Sequence, residues 1–478
     1  MASSPPSLPT RIHGRGSPPA SSTVAAVLLG LLALTGSAAP AGAQGAYAFV
    51  DVNVVPMTRY GVLEDRVVLV RDGTIRTVGP ADSVEIPVDA AVIRGRGGYL
   101  LPGLAEMHAH VPGPDTPREV VEDLLFLYVA NGVTVIRGMQ GAPGQVSLKL
   151  AALRNEIVSP IMYLASPAIT GQAAPEPDLV EALVEAYASR GWDLLKVHEG
   201  LTREVWDRLV ETAIERGVSY GGHVSDSVGL RYAFATGIST VDHLDGFLQE
   251  AVSDYLQARL EAGEEMPLDT LLAGVDPQEI RAIAGRTRAA STYVVPTLYL
   301  WENFSRRLDP DSMIALPEMR YVPRRMREAW VRQKTGMGAE PWWVADRLAE
   351  VRKEIVKALN DAGADLLMGT DSPQMFNVPG FSLYRELPLM SEAGLTPYEV
   401  LLTGTRNVAD YASRELGEAG NFGAVAAGNR ADLVLVEENP LEDLGALEGR
   451  VGVMLRGRWL PASTIENRLE RIAQKYRR

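Results

Sequence analysis

Five histidines stand where one fold would bring them together. His108, His110, His198, His223 and His243 each lie at, or one to three residues past, the end of a β-rich run. The sixth, His13, belongs to a leader considered below. If those runs are parallel strands of one barrel, their ends share a rim, the face where barrel enzymes place their chemistry. Histidines scattered through a core or over a surface do not sort in this way.

The runs alternate with helices. Strands are expected at residues 100–107, 134–138, 161–165, 193–197, 219–223, 240–243, 293–299 and 366–370. Amphipathic stretches such as 118–130, 178–190 and 204–216 lie between them. Eight strands with intervening helices over about 300 residues match an α/β fold of the (β/α)8 TIM-barrel type. A doubly wound open sheet is the alternative, but it gives no reason for the placement of the histidines.

Shorter β-rich text flanks this region, at 48–55, 66–71, 74–78 and 91–93, with a hairpin signal at Asp72-Gly73. It returns at 431–437 and 451–455, before the turn Arg456-Gly457-Arg458. One small β-sandwich built from both chain ends is the simplest account; two separate β caps are the alternative. The expected division is a signal peptide over 1–43, the sandwich over 44–100 and 416–478, and the barrel over 101–415.

The leader has the marks of export. Residues 1–22 are rich in Pro and Ser, with Arg11 and Arg15 as their only formal charges. An apolar run follows over 24–34, then small residues ending in Ala41-Gly42-Ala43. A basic lead, a short apolar stretch and an A-x-A site read as a secretory signal, with cleavage after Ala43 and a periplasmic or extracellular product. A retained anchor is the alternative, although the run is short for a bilayer.

Charge and cysteine content narrow the chemistry. The formal net charge of −14 becomes −16 once Arg11 and Arg15 are removed. So acidic a chain is a poor match for nucleic acid or an anionic membrane surface. There is no cysteine, so disulfides, thiolate zinc ligands and cysteine nucleophiles are all excluded. A metal would have to be held by His, carboxylate or modified Lys.

His108 and His110 are two apart on a strand, so both imidazoles face the same way, as chelation of one divalent ion requires. An HxH pair alone is a weak signal, and a polar strand end explains it equally well. Lys196 ends the run Asp193-Leu194-Leu195-Lys196-Val197, where an unpaired buried ammonium is costly. Either it snorkels or pairs with an acid, or carbon dioxide carboxylates it to a group able to bridge two ions. His223 and His243 come from the next two strands, and Asp371 follows the eighth in Gly369-Thr370-Asp371-Ser372-Pro373.

Together these residues resemble the amidohydrolase superfamily. Pro102-Gly103-Leu104-Ala105-Glu106-Met107-His108-Ala109-His110 looks like its first-strand signature, and Arg430-Ala431-Asp432-Leu433-Val434 like its return to the small domain. Gly222-His223-Val224 and Asp242-His243-Leu244-Asp245-Gly246 are similar to motifs of imidazolonepropionase-like members, which include Xaa-Pro dipeptidases. The resemblance spans roughly residues 47–465. It implies a binuclear site in which His108, His110 and Asp371 hold one ion, His223 and His243 the other, and carboxylated Lys196 bridges them. Zinc suits an N/O site without thiolates, with Mn, Co and Fe also admitted.

The implied reaction is hydrolysis of a C–N amide bond by metal-activated water. Asp371 would accept the water's proton and return it to the leaving nitrogen. A mononuclear deaminase of the same superfamily is disfavoured, because Lys196 is present and Val224-Ser225-Asp226 follow His223 where a catalytic Glu would be expected. The same residues would also suit a cyclic amidase, a lactonase or a non-catalytic metal-binding scaffold.

A small molecule, a dipeptide or another amide, is the expected partner, with homo-oligomerisation left open. By position, Arg137, Gln140, Thr297 and Tyr299 are candidates to read substrate, and His198 shares the face of Lys196. Arg137 could clasp a substrate carboxylate or serve as a structural salt bridge. The basic, aromatic stretch from Trp301 to Met337, with Arg306, Arg307, Arg320, Arg324, Arg325, Arg327, Arg332 and Trp330, reads either as a lid or as an ordinary helical insertion.

Overall fold

The computed structural model describes residues 45–306 and 308–477. The leader with His13, the apolar run, the expected cleavage after Ala43, and Arg307 lie outside them. Among the described residues no helix is long and apolar enough to cross a membrane.

Four strands open the chain: β1 (Tyr47–Val54), β2 (Leu63–Arg71), β3 (Thr74–Pro80) and β4 (Ala91–Pro102). The β2–β3 turn is Asp72-Gly73, with φ of 53° and 74°, the doubly positive geometry that suits a two-residue hairpin. Seven strands follow: β5 (Leu104–Ala109), β6 (Val133–Gly138), β7 (Ile161–Leu164), β8 (Leu195–Val197), β9 (Tyr220–Gly222), β10 (Thr240–Asp242) and β11 (Tyr293–Val295). The last three are β12 (Leu433–Val436), β13 (Arg450–Leu455) and β14 (Arg458–Pro461).

Both chain ends meet in one seven-stranded sheet, ordered β14-β13-β12-β4-β1-β2-β3. It stands where a sandwich was expected, and β4 is the reason. This strand is 12 residues long, and it pairs β1 along one edge and β12 along the other. Arg96 and Gly97, with φ of 53° and 80°, bend it midway so that it continues to the start of β5. The sheet buries Phe49, Val52, Val68, Leu433, Leu435 and Met454 in its own apolar cluster.

The middle of the chain is a layer of short parallel strands with helices outside. One sheet runs β5-β6-β7 and the other β11-β10-β9-β8. Single parallel bridges link them, Ala165 to Leu194, Val294 to Leu366 and Ala109 to Ser372. Residues from both sheets, including Ala105, Met107, Val135, Tyr163 and Tyr293, pack around the helix Arg406–Glu415.

The expected strand at 366–370 is present only as bridges, because its backbone bonds are diverted. Met368 N–H donates to the Thr403 carbonyl at 3.0 Å, and Thr370 N–H donates to the Glu106 carboxylate at 2.6 Å. The strand expected over 293–299 ends early at Val295. Thr297 is left-handed at φ 46° and turns the chain into the helix Leu298–Ser305.

The segment expected as a lid or insertion is docked. Trp330 is buried and meets the Phe376 ring edge-on at 5.9 Å. Lys334 Nζ donates to the carbonyls of Asn303 and Arg306, at 2.5 and 2.7 Å, closing the end of the helix Leu298–Ser305. Arg385 pairs with Glu318 at 2.8 Å, and Arg327 reaches the Tyr476 carbonyl at 3.1 Å. These ties favour the plain insertion over the lid.

Candidate active site

The five histidines form one row. Ring centroids are 4.1 Å apart for His198 and His223, 4.8 Å for His223 and His243, 4.3 Å for His243 and His108, and 5.6 Å for His108 and His110. The row forms because β5, β8, β9 and β10 run parallel and each histidine lies at or just past a strand end.

Asp371 closes on this row. Its Oδ1 lies 2.6 Å from His110 Nε2 and 3.5 Å from His108 Nε2, while its Oδ2 is 3.8 Å from His243 Nε2. Asp371 N–H donates to the His108 carbonyl at 2.8 Å, and His110 N–H to the Ser372 carbonyl at 2.7 Å. His108, His243 and Asp371 offer ligand atoms within 4.8 Å of one another. The expected division gave His243 to a second group, whereas here it stands between the two. Burial, reinforced by neighbouring Lys196 and histidines, holds His108 and His243 well below the usual imidazole range. Both are therefore neutral, the state in which imidazole ligates.

Lys196 is almost completely buried, and its Nζ has no hydrogen-bond partner. Burial lowers its pKa, against the opposing pull of Asp242 and Asp371. The space for its stem comes from Gly222, at φ 130°. A Cβ there would stand 2.9 Å from Lys196 Cδ and 2.7 Å from the Val197 carbonyl oxygen. An orphaned amine beside the carboxylates of Asp242 and Asp371 and the row of imidazoles fits a site made for divalent ions and a modified lysine.

Three of the imidazoles have a side chain behind them. Asp245 Oδ2 lies 2.7 Å from His223 Nδ1, and Thr297 Oγ1 lies 2.9 Å from His243 Nδ1. Asp242 Oδ2 stands 2.9 Å from His108 Nδ1, within ion-pair distance though neither atom makes a hydrogen bond. Such partners leave Nε2 facing the site. His243 is left-handed at φ 62°, and buried Arg352 donates to its carbonyl at 2.6 Å. Glu386, which burial pushes up to about 7, accepts the first two N–H groups of the helix after Thr297, from Leu298 and Tyr299.

Several expected substrate readers have other work. Arg137 is fully buried and bound to protein on every side, so it does not meet substrate. The salt-bridge alternative describes it. Tyr299 sits on a helix rather than a strand and is buried, because the strand stops at Val295. Thr297 supports His243, and exposed Gln140 bonds through its carbonyl to Gln145. His198 does face open space. It lines a cleft of about 810 Å³ with Thr170, Gln172, Glu199, Asp226 and Asp245. Its Nδ1 accepts from Glu199 N–H at 2.8 Å, and burial lowers its pKa to about 4. The neutral ring therefore carries its proton on Nε2.

Sequence reasoning assigns no role to Glu106, Asp242, Asp245, Arg352 or Glu386. A charge inside an apolar helical stripe is the signal for two of them. Arg352 interrupts Leu348, Val351, Ile355 and Leu359, and Glu386 interrupts Leu383, Leu387 and Met390.

The amidohydrolase family profile matches residues 99–460, and the chain belongs to that family, hydrolases of carbon–nitrogen bonds that generally use divalent metal. It is 23% identical over 413 residues to an imidazolonepropionase of Idiomarina loihiensis, covering 80% of this chain and 90% of that one. A 76-residue stretch is 33% identical to an enamidase of Eubacterium barkeri, 16% of this chain and 20% of the relative. Among solved structures, bottromycin amidohydrolase superposes with a TM-score of 0.67 at 24% identity, over 90% of this chain and 91% of that one. An Xaa-Pro dipeptidase with bound methionine gives 0.62 at 17% identity, over 87% and 100%. The fold is thus TIM-barrel-like α/β with a separate sheet domain.

Proposed function

We propose that the chain is an exported amidohydrolase with two divalent ions, zinc by preference, that cleaves an amide bond of a small substrate. In this reading the parallel strands and their bridges form a (β/α)8 barrel. His108, His110 and Asp371 would hold one ion, His223 and His243 the other, with a carboxylated Lys196 as a shared ligand. The observation that carries it is the buried, unpartnered Lys196 Nζ beside the row of histidines. A neutral amine adds to carbon dioxide, forming an N–C bond and releasing one proton, and the product carboxylate replaces a costly buried cation.

Bound divalent ions supply an acidified water and a Lewis acid for the substrate carbonyl. Asp371 takes the water's proton and delivers it to the leaving nitrogen, without which an amine is a poor leaving group. His198, with its proton on Nε2, donates to the substrate from the cleft wall. Asp245 and Thr297 keep the imidazoles of His223 and His243 aimed at the site.

An Xaa-Pro or other dipeptide is the first substrate reading, since export suits peptide scavenging and an Xaa-Pro dipeptidase shares the fold. A second reading, a cyclic or capped amide without a free carboxylate, is favoured by the burial of Arg137: the cation expected to hold a carboxylate is inside the core.

The test is metal analysis of the purified protein with a hydrolysis screen of dipeptides, N-acyl amino acids and cyclic amides. Two ions per chain and turnover on one class are expected. No metal and no turnover would refute the proposal. Asp371→Asn is expected to lower kcat by about 10²–10⁴-fold. Full metal loading with normal turnover in that variant would remove Asp371 from the proton transfer.

A further inference from the structure

A barrel interior is ordinarily filled by branched apolar side chains. Here Arg137 of β6 has no exposed surface. Its Nε donates to the Met107 carbonyl at 2.6 Å, and Nη1 to Thr240 Oγ1 at 2.9 Å and the Tyr411 hydroxyl at 3.3 Å. Its Nη2 donates to Asp242 Oδ1 at 2.8 Å, and Asp242 is equally buried. The other oxygen, Oδ2, is the one 2.9 Å from His108 Nδ1. A line of contacts therefore runs from the core through Asp242 and His108 to Asp371.

Stability does not account for this pair. Removing two charges from water costs several kcal/mol per ion, and well-packed apolar replacements of buried pairs are often neutral or stabilising. Nor does Arg137 read substrate, since no atom of it reaches the cleft. What it does is fix one carboxylate oxygen so that the other stands behind His108. A partner held behind a ligating histidine sets its tautomer and ring orientation.

We propose that Arg137 is a positioning residue for the metal centre: it clamps the Asp242 carboxylate, whose Oδ2 then stands 2.9 Å behind His108 Nδ1 and favours the ring orientation that presents Nε2 to the ion. The assignment rests on the two-ion reading above. It adds to that reading a residue outside the ligand set, acting through two intermediates.

The experiment measures zinc affinity of the full chain by chelator competition, and the visible spectrum of the cobalt-loaded protein. Folding is checked by circular dichroism. Arg137→Met and Asp242→Asn are each expected to weaken zinc binding by about 10–100-fold and alter the cobalt spectrum. Arg137→Lys, keeping the charge, restores part of the affinity. Tyr411→Phe removes an Arg137 partner that does not touch Asp242 and leaves zinc affinity within about twofold, the spread of a change in one hydrogen bond of this kind. Unchanged affinity and spectrum in folded Arg137→Met overturns the proposal, as does an equal loss in Tyr411→Phe. Should Arg137→Met fail to fold, unchanged affinity in Asp242→Asn overturns it. A wild-type chain that retains no metal breaks the two-ion reading itself, and the proposal with it.

Discussion

The seven-stranded sheet and the layer of short parallel strands solve the same problem in different ways. In the sheet, backbone groups satisfy one another along ladders such as β1 with β4 and β2 with β3, and the side chains beneath are apolar. In the parallel layer four of the strands are three residues long, and side chains take over where the ladder stops. Glu106 accepts from Thr370 N–H, Arg352 donates to the His243 carbonyl, and Glu386 caps Leu298 and Tyr299. Left-handed residues mark the difference as well. In the sheet domain Asp72 and Arg96 serve a turn and a bend, whereas His243, Leu244, Thr297 and Asp371 all border the site. Strained backbone of this kind costs about 1–3 kcal/mol per residue and persists where surrounding contacts over-determine it. One region is built to be stable, the other to hold particular atoms in place.

Lys196→Met would show that contrast most strongly. It removes the orphaned amine while keeping an unbranched stem of similar length. Activity is expected to fall by at least about 10³-fold if the bridging group goes, on the scale of losses from disabled catalytic machinery. Thermal stability of the metal-free chain should hold or rise, because a buried polar group without a hydrogen-bond partner has been removed. A variant that unfolds or keeps full activity would break the contrast.

Phe49→Ala probes the other region. Phe49 is fully buried in the sheet domain and meets Trp459 edge-on at 5.3 Å. Truncation is expected to cost about 3–5 kcal/mol of stability by denaturant unfolding, with metal content and kcat unchanged below the transition. A loss of metal without a loss of stability would show that the two regions are not separable.

The smallest effect is a slope. Burial raises Glu386 to about 7 and Glu106 to about 8, both above the value of 4.5 for a free glutamate. The folded chain therefore keeps protons that the unfolded chain releases from pH 4.5 upward. Stability from these groups is complete below that point and is lost as pH rises toward about 7 and 8. Melting temperature should decline across this window, and Glu386→Gln should flatten the part below about pH 7. An identical slope in the variant would separate Glu386 from the effect.

The sequence alone carried the alternation of strand and helix, the doubly positive turn at Asp72-Gly73, the helix Arg118–Ala130 and the convergence of five histidines, Lys196 and Asp371. These follow from local periodicity and from the rule that parallel strands end on one rim, neither of which needs coordinates. What sequence could not settle was whether a charge at a strand end faces inward or outward. Arg137 lies in the core because Thr240, Asp242 and Tyr411, 103, 105 and 274 residues away, supply its partners. Likewise, the strand expected at 366–370 is mostly absent because Glu106 and Thr403 take its hydrogen bonds. Periodicity reports which positions can be buried; only the folded chain decides which distant groups meet a buried charge there.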